Sequence, residues 1–206
     1  MVARHRCAIQ AVTPRAYTTP CPRSNRLMKL GQDPYDARIV ANTIVKLAAK
    51  ERKTLSPMQV QKLIYIAHGW HLSLNDSPLV SQPILAWKHG PVVRDVYDEY
   101  RIYGSEDITH YYRSRDPETG IPEVSFVRDP VSKEIIESVW NSYKRFSATE
   151  LWKLTHQNGS PWDRVYKGGV GEGDIIPNEL IALAYKDLAR ERSAQNFNPE
   201  AGAIGG

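Results

Sequence analysis

The chain has 206 residues, of which 41% are hydrophobic and 24% are charged, a composition typical of one globular domain with a hydrophobic core. No apolar run approaches the roughly 20 residues that a membrane-spanning helix needs, so we expect no membrane association. Cys7 and Cys21, the two cysteines, both lie near the N-terminus. They suggest neither a disulfide framework nor a zinc site, which indicates a cytoplasmic protein.

The net charge of +4 is concentrated at one end of the chain. Residues 1–27 contain five arginines and no acidic residue, so the remainder has 22 basic and 23 acidic residues and a net charge of −1. A basic surface for phosphate groups is therefore not indicated, and nucleic acid is not the expected partner of the core domain.

We predict one domain at residues 28–192 with an unstructured segment at each end. Residues 1–27 lack helical or strand periodicity and contain three prolines. Their arginine-rich composition also resembles a mitochondrial transit peptide, but we favour a disordered extension before a functional start at Met28. Residues 193–206 are expected to form a flexible tail.

Helix-capping sequences predict the first half of the domain. Asp33-Pro34 is expected to begin a helix that ends near residues 51–53. Ser56–Gln59 is a capping box and predicts a second helix that ends at Asn75–Pro78. Residues 83–88 have the pattern of a short strand, and His89–Pro91 is expected to be a turn that starts a third helix.

The third helix is expected to place Val93, Val96, Tyr97 and Tyr100 on one inward face and to end at Gly104. A small β-hairpin is expected beyond it, with its turn at 116–120 and a strand at 123–127.

The second half of the domain also reads as helices. Asp129-Pro130 begins a fourth helix, and Ser147–Glu150 is a second capping box that begins a short one. Ser160-Pro161 begins another short helix that ends at Gly168-Gly169, and residues 170–176 are a loop. Pro177 begins the last helix, whose inward residues are predicted to be Leu180, Ala184 and Leu188. The fold class expected is mainly α, a compact single-domain helical bundle with a small β-hairpin.

Two pairs of side chains have the spacing of chemical sites. His68 and His71 lie three residues apart on the second helix and could share a metal ion, but no third ligand is evident and a structural role is favoured. His156 and Ser160 could act as base and nucleophile, but no orienting group or oxyanion hole is evident, and Ser160 is explained as an N-cap.

Acidic and glycine-rich segments also have structural interpretations. Asp95, Asp98 and Glu99 resemble a metal-dependent nuclease cluster but occupy the polar face of a helix. Residues 168–173 are glycine-rich but lack the lysine of a phosphate-binding loop. We therefore expect no catalytic residue, no metal site and no cofactor.

Five of the eleven tyrosines lie within residues 97–112. Tyrosine is enriched at interface hot spots because it offers a large contact area at low entropic cost. Tyr97 and Tyr100 are best explained by the core-facing stripe. Tyr103, Tyr111 and Tyr112 fall outside it, and we predict that they bind a partner.

Three segments resemble a known family. Residues 61–72 are similar to the LQKLLYYAQGWHL-type helix of the SocA-like antitoxins, the Panacea domain, known in prophages as GepA-like proteins. Residues 86–97 resemble the family's AWKYGPVVPSVY segment, and 155–162 its TH and SPW motif. His68 and His89 depart from the family's common Gln and Tyr. The residues that carry the resemblance are Gln61, Lys62, Leu63, Tyr65, Gly69, Trp70, Trp87, Gly90, Pro91, Val92, Tyr97, Thr155, His156, Ser160, Pro161 and Trp162.

The resemblance implies an antitoxin, a non-enzymatic protein that binds and neutralises a protein toxin encoded nearby. It acts by direct blocking or by delivering the toxin to a protease. The alternatives are a DNA-binding regulator of its own operon and, less favoured, a metal-dependent hydrolase. We interpret the motif residues as scaffold, with Gly69 allowing close helix packing and Trp70, Trp87 and Trp162 burying large areas.

Overall fold

The computed structural model describes residues 33–116 and 118–196, which form α-helices and two small antiparallel sheets. The predicted extension at residues 1–27 lies outside the described residues. The helices are α1 (Ala37–Lys50), α2 (Pro57–Asn75), α3 (Arg94–Tyr100), α4 (Pro130–Tyr143), α5 (Ala148–Thr155), α6 (Pro161–Tyr166) and α7 (Asn178–Asn196). The strands are β1 (Leu85–Trp87), β2 (Gly90–Val92), β3 (Ser114–Arg115) and β4 (Pro122–Glu123), and Arg101–Tyr103 and Lys167–Gly169 form single 3₁₀ turns. The mainly helical fold is confirmed.

The central element is α2, which contacts α1, α3, α4, α5, α7 and β2. The predicted capping box is confirmed, since Ser56 and Gln59 exchange side-chain hydrogen bonds with each other's backbone N–H. The helix ends at Asp76, which adopts a left-handed conformation with φ 52°. Residues on nearly all sides of α2 are buried, as expected of a helix in the middle of a bundle.

The first helix begins later than predicted. Its N-cap is Asp36 rather than Asp33, and the Asp36 carboxylate accepts a hydrogen bond from the Arg38 N–H at 2.8 Å. Before the helix, Tyr35 pairs with Val80, and its N–H donates to the carbonyl of Leu79 at 2.9 Å. This contact keeps the chain extended at the position where the local sequence predicted a helix.

The turn predicted at His89–Pro91 lies earlier, at residues 88–89. Gly90–Val92 forms β2, which pairs antiparallel with β1 so that Leu85 lies opposite Val92 and Trp87 opposite Gly90. The helix that follows begins at Arg94, and it buries Val96 and Tyr100. Tyr97 was expected on the same inward face, but it is 41% exposed and its ring meets the edge of Trp87.

The hairpin is confirmed but is shorter than predicted. Ser114–Arg115 pairs with Pro122–Glu123, and Asp116 stabilises the turn by accepting the Thr119 N–H at 2.7 Å. Residues 124–127 are not a strand. Val127 is instead buried against α1, with its N–H donated to the Thr43 hydroxyl at 2.9 Å.

The caps of the next three helices agree with the sequence. Asp129, Ser147 and Ser160 are the N-caps of α4, α5 and α6, and Ser147 forms the predicted capping box. The 170–176 segment is a loop, but it also lies along β1, with the Ala86 N–H donated to the Asp174 carbonyl at 2.8 Å.

The inward face of α7 was predicted incorrectly. Ile181 and Tyr185 are buried, whereas Leu188 is 38% exposed and Leu180 and Ala184 are half-buried. The helix continues to Asn196, so the tail boundary expected at residue 193 falls within it. Among the described residues, no helix combines the length and apolar character needed to cross a membrane.

Candidate functional site

The three motif segments meet inside the protein around Lys62. The Lys62 side chain is 1% exposed, and its ammonium group donates to the carbonyls of His89 at 2.6 Å and Pro91 at 3.2 Å. Burial lowers the pKa of Lys62 to about 7. Within the described residues, this amine bonds to two carbonyls and to no carboxylate. Lys62 therefore holds the backbone of β2 in place through hydrogen bonds.

Gln61, the preceding residue, holds the other end of β2. Its side-chain amide donates to the Val93 carbonyl at 3.0 Å and accepts the Val93 N–H at 3.0 Å. This pairing satisfies both backbone groups of a buried residue just before α3. Gln61 and Lys62 therefore fix the position of β2 and the start of α3 on α2.

Gly90 is required because the lysine and a histidine approach its backbone closely. It has φ +100°, a conformation that L side chains rarely adopt. A Cβ at this position would collide with the Lys62 ammonium group and with His156. The glycine thus brings the second and third motif segments into contact with α2.

His156 is enclosed by aromatic rings. Its ring centroid lies 4.1 Å from that of Trp152 and 4.0 Å from that of Trp162. His156 Nδ1 lies 2.7 Å from the Trp152 carbonyl, so Nδ1 is the protonated nitrogen. Burial lowers the pKa of His156, which favours a neutral ring packed as part of the interior.

Ser160 and Trp162 complete this motif as structural residues. Ser160 Oγ accepts the Asp163 N–H at 3.2 Å, which caps α6. The Trp162 indole N–H donates to the Trp87 carbonyl at 2.8 Å and joins α6 to β1. No hydrogen bond joins His156 to Ser160 in the described part of the chain, so the base and nucleophile arrangement is not formed.

Gly69 places α2 and α7 in close contact, as predicted. A Cβ on Gly69 would overlap the ring of Tyr185. Tyr185 also meets Trp70 edge-on at 5.4 Å and Tyr65 at 6.2 Å between ring centroids. Most motif residues are buried: Gln61, Lys62, Leu63, Tyr65, Gly69, Gly90, Pro91, Val92, Thr155, Pro161 and Trp162.

The two histidines of α2 have separate structural partners. His68 Nε2 lies 3.0 Å from Asn178 Oδ1, and its Nδ1 accepts the Val80 N–H at 3.4 Å. Burial lowers the pKa of His68 to about 4. His71 lies 2.7 Å from the Ser77 carbonyl and 3.1 Å from the Ser132 hydroxyl. Within residues 33–116 and 118–196, no group of three His, Cys, Asp or Glu side chains is placed to hold a metal ion.

The acidic residues of α3 have ordinary surface partners. Asp95 accepts a hydrogen bond from the Gln82 amide at 3.1 Å. Glu99 lies 3.1 Å from His110 Nε2, and Asp98 is exposed. This arrangement is that of a solvated helix face.

The predicted tyrosines lie half-buried at the surface and are held in place by polar contacts. The Tyr103 hydroxyl lies 2.6 Å from His110 Nδ1 and 2.8 Å from the Thr109 hydroxyl. The backbone of Tyr112 exchanges two hydrogen bonds with the Asn42 side chain of α1. The ring of Tyr111 meets Phe126 edge-on at 5.5 Å. These contacts fix the rings of Tyr103 and Tyr111 and the backbone of Tyr112.

A groove of about 150 Å³ opens between this segment and the end of α1. We call Tyr103, Tyr111, Tyr112 and the lining of this groove the tyrosine surface. The lining residues are Val45, Ala48, Ala49, Lys53, Thr54, Leu55, Ile108, Thr109, His110 and Tyr111. The sequence predicted the three tyrosines but not the α1 residues that line the groove beside them. Nothing in the local sequence indicates which helix this segment contacts.

Comparison with known proteins agrees with the motif segments. The family described as "Antitoxin SocA-like, Panacea domain" matches residues 60–163. Antitoxin SocA of Caulobacter vibrioides (strain NA1000 / CB15N) is 38% identical over 158 residues, which covers 74% of this chain and 84% of that protein. The chain belongs to the SocA-like antitoxin family. No solved structure matches it.

The SocA-like match contains all three motif segments, and the structure shows that most of their residues form one interior cluster. The tyrosine surface lies only partly within the match. Ile108–Tyr111 fall inside residues 60–163, whereas the α1 wall precedes them.

Proposed function

We propose that this chain is a non-catalytic antitoxin that binds a protein toxin encoded nearby and neutralises it through the tyrosine surface. The supporting observation is that most of the motif side chains are buried and hold elements of the fold together. Lys62, Gln61 and Trp162 all bond to backbone groups of residues 87–93. The part of the chain left to recognise a partner is its exterior.

The tyrosine surface is suited to this role because its aromatic rings are already fixed. Preorganised aromatic side chains lose little entropy on binding, so more of the contact energy appears as affinity. Family membership supports a toxin as the partner, since the relative is named an antitoxin.

Co-expression with the neighbouring reading frame tests this function. The neighbour should arrest growth when expressed alone, and growth should recover when this chain is present. A copurified complex should form between the two proteins. A neighbour that is harmless alone, or that remains toxic beside this chain, would refute the proposal.

The tyrosine surface is tested by replacing Tyr111 and Tyr112 with alanine. Truncating one hot-spot residue costs about 2 kcal/mol, so the double variant should bind about 30-fold more weakly if one ring is a hot spot and about 800-fold more weakly if both are. The thermal midpoint should change little, because both rings are half-exposed. Tyr97→Ala removes one tyrosine ring from an exposed position beside Trp87, and it should leave affinity unchanged.

Neutralisation by blocking and neutralisation by delivery to a protease predict different toxin lifetimes. Under direct blocking, the toxin half-life in cells is unchanged or longer when this chain is present. Under delivery, the half-life shortens, and the effect disappears in a strain that lacks the protease. A chase of the tagged toxin after synthesis is stopped distinguishes the two.

A further inference from the structure

The groove of the tyrosine surface has an apolar floor. Val45 and Ala48 of α1, together with Leu55 and Ile108, contribute hydrophobic side chains to its lining. Its volume of about 150 Å³ equals that of protein cavities that accept benzene. The groove therefore has room for one aliphatic or aromatic side chain from a partner.

Lysines lie along one side of this apolar floor. Lys53 lines the groove, with its ammonium group 4.0 Å from Glu51, and no carboxylate lines it within the described residues. Lys46 and Lys50 are exposed on α1. Lys46 lies three residues before Ala49, another lining residue, and therefore occupies the same helix face. Its ammonium group is 4.0 Å from the centroid of the Phe126 ring, which also contacts Tyr111.

Three carboxylates close in sequence to the groove already have partners, and a fourth, Glu106, is exposed. Glu51 accepts hydrogen bonds from Lys144 at 2.7 Å and Trp140 at 3.0 Å. Asp107 accepts the Thr54 hydroxyl, and Glu99 pairs with His110. Neither Lys46 nor Lys50 forms an ion pair with any residue that the structure describes.

We propose that the groove binds an acidic segment of the partner protein, with one apolar side chain inserted between α1 and Tyr111 and carboxylates facing Lys46 and Lys50. Complementary charge at the rim of an interface steers encounter, and a buried apolar anchor slows dissociation. The inference rests on the proposed function, because the segment belongs to the toxin. A nucleic acid fits less well as the occupant. Residues 28–206 have a net charge of −1, whereas protein surfaces that bind nucleic acids are strongly basic.

The charge part of the proposal is tested with Lys46→Glu combined with Lys50→Glu. The full chain is mixed with the purified toxin, and association and dissociation rates are measured at low and at physiological salt. The double variant should associate about tenfold more slowly at low salt, and its rate should depend less on salt. Lys186→Glu combined with Arg190→Glu makes the same charge change on α7, which contacts α2, and should leave both rates unchanged.

The anchor part is tested with Ala49→Trp, which places an indole in the groove from an exposed helix position. This variant should dissociate about tenfold faster, because affinity changes within one interface fall mainly on dissociation. Circular dichroism melting of each variant separates loss of binding from loss of folding. A variant that melts early is replaced by Lys46→Gln with Lys50→Gln, or by Ala49→Leu.

The possible outcomes distinguish this inference from the function on which it rests. If the wild-type chain binds the toxin and the groove variants bind it equally well, the acidic-segment inference is wrong and the proposed function stands. If the wild-type chain does not bind the toxin, both are wrong. If the lysine reversals abolish binding to duplex DNA but not to the toxin, the groove is a nucleic-acid surface and the inference is overturned.

Discussion

Replacing Lys62 with methionine is expected to remove a large part of the pH dependence of stability. The Lys62 amine is 1% exposed and bonds to two backbone carbonyls. Burial without a carboxylate disfavours the charged form, so the pKa falls from 10.5 to about 7. The folded state therefore binds fewer protons than the unfolded state between pH 7 and 10.5.

The sign and the size of the effect follow from proton linkage. Because the unfolded chain holds the extra proton, the free energy of unfolding rises with pH across this window. The charged amine lowers the stability of the fold by roughly 5 kcal/mol well below pH 7, taking 1.36 kcal/mol for each pKa unit. Between pH 7 and pH 9, Lys62 alone should contribute a gain of about 2 kcal/mol.

Urea denaturation at pH 7, 8 and 9 measures this contribution. The wild-type chain should gain about 2 kcal/mol more over the range than Lys62→Met. Lys50→Met, at an exposed lysine, should behave as wild type. Burial raises the pKa of Tyr65 and of Tyr185, so these groups do not titrate below pH 9. Parallel stability curves for wild type and Lys62→Met would refute the reasoning. If that variant does not fold, proton uptake on wild-type unfolding at pH 8 is measured instead.

Three further substitutions test the interior and a helix cap. Burial lowers the pKa of His68 to about 4, so between pH 6.5 and pH 4 the unfolded chain binds a proton that the folded chain does not. The free energy of unfolding of the wild-type chain should therefore fall by up to about 3 kcal/mol over this range, and His68→Gln should remove that fall. Urea denaturation at both pH values checks this. Gly69→Ala should destabilise by about 1–3 kcal/mol through overlap with Tyr185, and a double-mutant cycle with Tyr185→Leu should be less than additive. Ser147→Ala should cost about 1 kcal/mol in thermal unfolding, from loss of the capping box.

The sequence predicts features that depend on neighbouring residues. Ser56, Asp129, Ser147 and Ser160 were identified as helix caps because a cap and the N–H that it accepts lie within three residues. The three motif segments were likewise recognised from local phrases. Their convergence on Lys62 was not predicted, because His89 and His156 reach it only through the tertiary fold.

The errors fall where distant contacts override local patterns. Asp33-Pro34 has a good helix start, but Tyr35 pairs with residue 80 and delays α1. The last helix has Leu180, Ala184 and Leu188 at four-residue steps, yet it turns Tyr185 inward because Gly69 of α2 leaves room for that ring. For the candidate surface, tyrosine density indicated Tyr103, Tyr111 and Tyr112. The groove beside them needed α1, more than fifty residues earlier in the chain.

The division between interior and exterior bears on the proposed recognition of a toxin. The polar groups of Lys62 and Gln61 form hydrogen bonds with backbone atoms of residues 89–93. They stabilise the interior and are not exposed to a partner. The groove joins Ile108–Tyr111, inside the family match, to an α1 wall that precedes residue 60. Substitutions at Ala49 change that wall, and substitutions at Lys46 or Lys50 change the charge beside it, without touching the contacts around Lys62. Under the proposed function, partner choice would change on this surface while the interior, and with it the fold, stays the same.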